Sequence, residues 1–223
     1  MTLPRSALVL TCLMALGALA AMGYAVHTMS PLHDYRGLAV LVLALVTARL
    51  KVQLPGLTGN MAVNLPFLLI AVTQLSLLEA LLVALPSCAL QCIPKGGGRP
   101  KPVQMVFNLS TTAVAVGVAS LIAAHFTLLA AGGFFLSQTI PVASIICLTE
   151  GGKFHSIWSS IAHLSFPFYV LSAGLTSIAT SATPQLGWQL PLVSLPVLYA
   201  IYRSYESYFR VPSLARGSSV EAQ

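Results

Sequence analysis

The stretch from Leu54 to Pro86 reads LPGLTGNMAVNLPFLLIAVTQLSLLEALLVALP and is apolar enough to lie in a membrane. Its first thirteen residues nevertheless contain two prolines, two glycines and two asparagines. These residue types disfavour the interior of a helix. We therefore expect a membrane segment whose helix does not begin where the apolar sequence begins.

The composition of the whole chain predicts an integral membrane protein. Of its 223 residues, 57% are hydrophobic and 7% are charged, whereas soluble domains carry about 25% charged residues. Long apolar runs alternate with short basic clusters, which is typical of a polytopic helical protein. The net charge of +6 comes from basic residues that flank these runs. They predict contacts with lipid headgroups and argue against nucleic-acid binding.

Eight apolar segments are candidate spans and predict an all-α transmembrane bundle. They cover residues 6–24, 37–50, 54–75, 77–92, 103–126, 133–148, 157–180 and 188–202. The bundle forms one domain, residues 1–208, followed by a polar cytoplasmic tail, residues 209–223. The first segment also has the pattern of a secretory signal, so a cleaved signal peptide is an alternative to a retained first span.

The positive charges predict the orientation. With eight spans and a cytoplasmic N-terminus, ten of the eleven basic residues lie inside and only Arg36 lies outside, in agreement with the positive-inside rule. The inner residues are Arg5, Arg49, Lys51, Lys95, Arg99, Lys101, Lys153, Arg203, Arg210 and Arg216. This predicts a multi-pass membrane protein with both termini in the cytoplasm.

The same charges predict a break inside the opening stretch. Lys51 and Lys95 can share a side only if the chain crosses the membrane an even number of times between them. One continuous helix would violate this and would bury Glu79 in the bilayer, at a cost of about 3 kcal/mol. A turn at residues 74–76 avoids both problems, because Ser76 and Glu79 then form a capping box for the returning helix.

A turn at that position leaves too little helix before it. Residues 66–75 make about 15 Å of helix, half of the hydrocarbon core. We expect Asn64 to cap this half-helix. Irregular backbone, buried in protein or lining a polar cavity, would cross the other half. The alternative is an interfacial loop that leads into a short, tilted helix.

The fifth span carries a stripe of polar and small residues. Gln104, Asn108 and either Thr111 or Thr112 recur at helical spacing. Such a stripe can join helices through hydrogen bonds. Alternatively, Asn108 faces Asn64 or Asn60 across a cavity that binds a small ligand.

Catalytic and metal-binding patterns are missing from the sequence. It has no GxSxG, P-loop or HExxH motif and only five acidic residues. Cys88 and Cys92 share a helix face, but they have no His or carboxylate neighbours that would complete a metal site, so we expect them to pack as small apolar side chains. The sequence therefore predicts no enzyme activity, no cofactor and no metal.

Aromatic and basic residues alternate near the end of the chain. Tyr202, Arg203, Tyr205 and Arg210 form a pattern that anchors a helix at the cytoplasmic membrane interface.

Four motifs resemble a bacterial membrane module that precedes GGDEF or HD-type output domains in signalling proteins, particularly in acidobacteria. They are LKVQLPGLTGNMAVNLPFLL at residues 50–69, PVQMVFNLS at 102–110, QTIPVASIICLTEG at 138–151 and GWQLPLVSLPVLYAIYRSYESY at 187–208. The chain departs from the family in having Gln138 where Asn is usual, and in carrying no output domain. It is similar to a stand-alone copy of the module, or to a truncated one.

The resemblance implies a non-enzymatic sensor or interaction module of the bacterial inner membrane. Its expected partners are the lipid bilayer and either a cytoplasmic signalling protein or further copies of the chain. We expect the ligand to meet Asn60, Asn64, Gln104, Asn108, Thr111 and Gln138. The alternative function is a small-molecule transporter or substrate-binding membrane subunit, with its site at the broken third span. An intramembrane enzyme is the third hypothesis, which the missing catalytic groups disfavour.

Overall fold

The computed structural model describes residues 4–28, 34–53, 60–62, 64–93, 101–123 and 126–186, and the single positions 196, 199, 200 and 203. This part of the chain folds into seven helices and one short β-ribbon. The helices are α1 (Arg5–His27), α2 (Asp34–Ala48), α3 (Leu65–Gln74), α4 (Leu77–Cys92), α5 (Pro102–Ala123), α6 (Thr127–Glu150) and α7 (Phe154–Leu186). The ribbon consists of β1 (Lys51–Gln53) and β2 (Asn60–Ala62).

Four of these helices, α1, α5, α6 and α7, are long and apolar enough to cross a membrane, and α2, α3 and α4 are shorter apolar helices. The predicted helical bundle is therefore confirmed. The fourth segment has the predicted bounds, whereas α6 and α7 extend beyond theirs at both ends. The eighth predicted span, residues 188–202, falls mostly outside the described residues.

The surface of the bundle is apolar where a bilayer would surround it. On α1 the large side chains that are at least half exposed include Leu8, Val9, Leu13, Leu16 and Leu19. Similar exposed side chains occur on α6 and α7. An apolar surface of this extent is typical of a protein that lies in lipid.

The shortest helix lies in the centre of the bundle. All residues from Leu65 to Val72 of α3 are buried, and α3 contacts α2, α4, α5, α6 and α7. A helix that is apolar on every side needs such surroundings. The half-helix predicted from the sequence is therefore present, and it forms part of the core.

The break between α3 and α4 is confirmed at the predicted place. α3 ends at Gln74, Leu75 is extended, and Ser76 caps α4 in a capping box with Glu79. Both halves of the box are formed, so the first turn of α4 has partners for its backbone N–H groups.

The segment before α3 differs from the prediction. β1 and β2 pair in antiparallel register, with Lys51 opposite Ala62 and Gln53 opposite Asn60. Ala62 therefore lies beside Lys51, and residues 60–62 form a strand where irregular backbone was predicted. The rest of the predicted irregular stretch, residues 54–59 and 63, lies outside the described residues.

Contacts between helices show how they are oriented. The contacting residues run in opposite order for α4 with α5, for α5 with α6 and for α6 with α7, so these neighbours are antiparallel. The pairs are Cys88 with Thr112, Cys92 with Asn108, Gln138 with Thr112, Gly133 with Ile122, Trp158 with Thr139 and Phe166 with Phe135.

The remaining helices are placed in the same way. α1 is parallel to α5, and α3 is parallel to α7, while the start of α2 lies beside the start of α4. The pairs are Gly17 with Val114, Ala21 with Gly117, Pro66 with Thr176, Gln74 with Thr180 and Gly37 with Glu79. The odd-numbered helices therefore run in one direction and the even-numbered helices in the other.

This arrangement brings basic residues together at one end of the bundle, which we call the basic end. Its described members lie at the first residue of α1, directly after α2, in β1, and directly before α5 and α7. They are Arg5, Arg49, Lys51, Lys101 and Lys153. Arg36, in the first turn of α2, lies at the opposite end.

Candidate functional site

The start of α3 is a polar point inside the apolar core. Asn64 precedes the helix and is only 3% exposed. Its carbonyl oxygen accepts hydrogen bonds from the N–H groups of Phe67 at 3.0 Å and Leu68 at 3.2 Å. Its side chain makes no capping bond, and its φ of −80° and ψ of −5° are already helical. Asn64 is therefore the N-cap residue of α3, as predicted, but its side chain makes no capping bond, because its backbone is helical whereas a capping side chain normally requires an extended backbone.

The amide nitrogen of the Asn64 side chain, Nδ2, is buried and has no hydrogen-bond partner within the described ranges. A buried donor without a partner costs about 1–3 kcal/mol. It lies at the N-terminus of a helix, where the backbone carries a partial positive charge. This arrangement can bind a hydrogen-bond acceptor or a negatively charged group on a small ligand.

A second buried polar atom without a partner is the hydroxyl oxygen of Thr111 on α5. Other buried hydroxyl groups donate to a carbonyl oxygen four residues earlier, as Thr11 does to Ala7 at 2.8 Å and Thr47 to Leu43 at 2.7 Å. Thr111 is 1% exposed and makes no such bond. Its hydroxyl group is therefore not used by the part of the fold that the structure describes.

Two other predicted residues belong to a hydrogen-bonded network between α4, α5 and α6. The Gln138 amide donates to the Thr112 hydroxyl at 3.1 Å, and that hydroxyl donates to the Cys88 sulfur at 3.4 Å. The Asn108 amide donates to the Cys92 sulfur at 3.6 Å. The predicted polar stripe of α5 therefore joins helices here, as one of its two interpretations expected.

The predicted site residues are thus distributed over several places. Gln104 is exposed on the first turn of α5. Asn60 lies in β2, and its side chain is outside the described residues. The described partner of Asn108 is Cys92, in place of the expected Asn64 or Asn60.

Sequence reasoning gave no functional role to Cys88 and Cys92. A signal was present, because Cys88 and Cys92 are one helical turn apart on α4, and Asn108 and Thr112 are one turn apart on α5. When the two helices are antiparallel, each cysteine of α4 can face one of these polar residues of α5. Whether they do face each other depends on how each helix is rotated about its own axis. Hydropathy does not reveal this rotation when sulfur is counted as apolar.

Of the predicted interface anchor, Arg203 is helical and exposed, whereas Tyr202, Tyr205 and Arg210 lie outside the described residues. Among the residues that are described, no three His, Cys, Asp or Glu side chains come together.

Comparison of the chain with protein-family models, with curated proteins and with solved structures found no match.

Proposed function

We propose that the protein is a non-enzymatic, multi-pass sensor module of the bacterial inner membrane. It binds a small ligand inside the helix bundle at the start of α3. It signals from the basic end, through a cytoplasmic partner or through a second copy of the chain. The observation that carries this proposal is the buried, unpartnered Nδ2 of Asn64 at the N-terminus of the central helix.

The position of α3 supports coupling between the ligand and the rest of the protein. Because α3 contacts five other helices, a ligand that moves its start changes the packing of most of the bundle. The ligand must bind one arrangement of these helices better than another to shift the population between them. The resemblance to sensor modules supports signalling as the outcome.

The charge distribution supports the proposed orientation. With the basic end in the cytoplasm, Arg5, Arg49 and Lys153 lie inside and Arg36 lies outside, as the positive-inside rule favours. This orientation includes the eighth span at residues 188–202 and places both termini in the cytoplasm.

Thermal unfolding of the purified protein in detergent tests the ligand site. The probes are a panel of small carboxylates and amides, because an N–H donor at a helix N-terminus favours acceptors and anions. We expect at least one probe to raise the melting temperature of the wild-type protein. A probe at 100 times its dissociation constant stabilises by about 2.7 kcal/mol.

The Asn64→Leu variant separates binding from folding. It removes a donor that has no described partner, so the ligand-free protein should be as stable as the wild type or more stable. The probe-induced shift should disappear. Gln104→Leu, at an exposed position, is the matched control and should keep the shift. If Asn64→Leu also keeps the shift, the probe binds elsewhere and the proposed site is wrong.

A transporter is the second candidate function. It is favoured by the interruption between α3 and α4 within the bundle, because discontinuous helices commonly hold substrates in transporters. Uptake of a radiolabelled probe into proteoliposomes distinguishes the two functions. Accumulation that Asn64→Leu abolishes would favour transport, whereas binding without accumulation would favour sensing.

A further inference from the structure

Cys88 and Cys92 form a pair of thiols that accept hydrogen bonds from the neighbouring helix. They lie one turn apart on the face of α4 that meets α5. Thr112 Oγ1 donates to Cys88 Sγ at 3.4 Å, and Asn108 Nδ2 donates to Cys92 Sγ at 3.6 Å. Each sulfur therefore has its own donor from α5.

Gln138 connects this pair of thiols to α6. Its Nε2 donates to the oxygen of Thr112 at 3.1 Å. The Thr112 hydroxyl therefore accepts from Gln138 and donates its single proton to the Cys88 sulfur. Two side chains of α5 thus donate to the two sulfurs, and α6 contributes the amide that bonds the Thr112 oxygen.

A thiol that only fills space needs no such donors. Donors directed at sulfur stabilise negative charge on it, as partners outside the ligand shell do for metal-bound side chains. We propose that Cys88 and Cys92 bind one Cu(I) ion through their two sulfur atoms. This site is separate from the start of α3 and assigns to the pair a role that its apolar sequence context did not predict.

Binding of Cu(I) to the two thiols requires no change in oxidation state. Each thiol loses its proton to solvent, two S–H bonds break and two Cu–S bonds form, and copper stays Cu(I). The two-thiolate complex carries one negative charge, which the hydrogen bonds from Thr112 and Asn108 stabilise.

The composition of the pair favours Cu(I) over Zn²⁺. Thiolate ligands select soft metals, and Cu(I) is satisfied by two of them. Structural Zn²⁺ takes four ligands, but the described residues supply no group of three or more His, Cys, Asp or Glu side chains.

The position of the pair gives an ion access. Cys92 is the last residue of α4 and is partly exposed, whereas Cys88 is buried one turn further in. In the proposed orientation this end faces the reducing cytoplasm, where thiols stay reduced.

Competition with the chromophoric chelator bicinchoninate tests the site. The full chain, purified in detergent, is titrated with Cu(I) under anaerobic, reducing conditions. We expect the wild-type protein to take one Cu(I) per chain from the chelator. Cys88→Ser and Cys92→Ser should each abolish this transfer, whereas the Cys12→Ser/Cys147→Ser double variant, which keeps the pair, should retain it. Transfer that survives loss of Cys88 and Cys92, or no transfer to the wild type, would overturn the proposal.

Two further variants keep the test decisive if a cysteine variant misfolds. Thr112→Val removes the donor to Cys88, and Gln138→Leu removes the amide that bonds this donor, while both variants retain the two sulfurs. Cu(I) affinity should therefore fall by about 10–100-fold. An unchanged affinity in Thr112→Val would contradict the role of the donors. Asn64→Leu should leave Cu(I) binding intact, so failure of the α3 site and failure of the copper site are distinguishable.

Discussion

Ser76 and Glu79 form reciprocal hydrogen bonds at the turn where the chain reverses direction between α3 and α4. The Ser76 N–H donates to Glu79 Oε2 at 3.0 Å, and the Glu79 N–H donates to Ser76 Oγ at 3.4 Å. The Ser76 hydroxyl also donates to Glu79 Oε2 at 2.7 Å. Because Glu79 is buried, its carboxylate is held by hydrogen bonds close to the start of α4.

Removing this cap should destabilise the bundle. Ser76→Ala loses the oxygen that accepts the Glu79 N–H, so we expect a loss of about 0.5–2 kcal/mol and a lower melting temperature in detergent. Ser76→Thr keeps a hydroxyl group in the same place and should stay close to the wild type. Equal melting temperatures for Ser76→Ala and Ser76→Thr would show that the cap does not stabilise this turn.

The acidic side chain offers an independent test of the same box. Glu79→Gln keeps an oxygen that can accept the Ser76 N–H, since Gln also completes a capping box. Glu79→Met, of similar size, has no such oxygen. We expect Glu79→Met to lower the melting temperature more than Glu79→Gln. The opposite order would mean that a side-chain oxygen at position 79 does not stabilise this turn.

The break and its cap could be predicted because their causes are local. The capping pattern lies within four residues, and charge parity required an even number of crossings between Lys51 and Lys95. The ribbon could not be predicted in this way, since β1 and β2 are separated by residues 54–59 and their pairing depends on a backbone register that side-chain patterns did not specify. The sequence also placed the start of α6 too late, at Gly133. This glycine lies inside the helix because it packs against Ile122, a contact with another helix that the local sequence does not show.

The candidate site was predicted only in part. Asn64 and Asn108 were identified by being polar within apolar segments, which a sequence shows directly. The partner of Asn108 depends on how α4 and α5 are rotated about their axes. The facing side chains on α4 are thiols. Because thiols were counted as apolar, the sequence did not predict their hydrogen bonds with α5.

Close packing between α1 and α5 leads to a prediction with an internal control. A Cβ atom on Gly17 would lie 2.9 Å from Val114 Cγ2, whereas one on Gly23 would meet nothing within 4 Å. We expect Gly17→Leu to cost about 1–3 kcal/mol through overpacking. Gly23→Leu should have no such cost and gains helix propensity. Melting temperatures of the two variants measure the difference, and similar values would contradict the contact between α1 and α5.

The hydroxyl group of Thr112 should contribute to stability as well as to the thiol network. Thr112→Val removes the acceptor of the Gln138 amide, and hydrogen bonds between membrane helices contribute about 1 kcal/mol. Thr149 is the control, because its exposed hydroxyl bonds only carbonyl groups of its own helix in the described contacts. We expect Thr149→Val to change the melting temperature less than Thr112→Val does. Thr112→Ser should restore most of the loss.

The alternating directions of the helices predict which sites are accessible from outside an intact cell. Thr28 follows α1 and Phe126 precedes α6, so both lie at the end of the bundle opposite the basic end, and both are exposed. Ser156, exposed in the first turn of α7, lies at the basic end. With the basic end in the cytoplasm, a membrane-impermeant maleimide should label Thr28→Cys and Phe126→Cys but not Ser156→Cys.

This labelling requires a background in which the four native cysteines are replaced, and each variant then carries one thiol. Permeabilised cells provide the control, because Ser156→Cys should become labelled once the reagent enters. Labelling of Ser156→Cys in intact cells, with protection of Thr28→Cys and Phe126→Cys, would invert the orientation. The basic end would then face outward, against the positive-inside rule, and a signalling partner could not meet it in the cytoplasm. Labelling at Thr28→Cys but not at Phe126→Cys would instead contradict the packing of α1 parallel to α5, which places the end of α1 and the start of α6 on the same side.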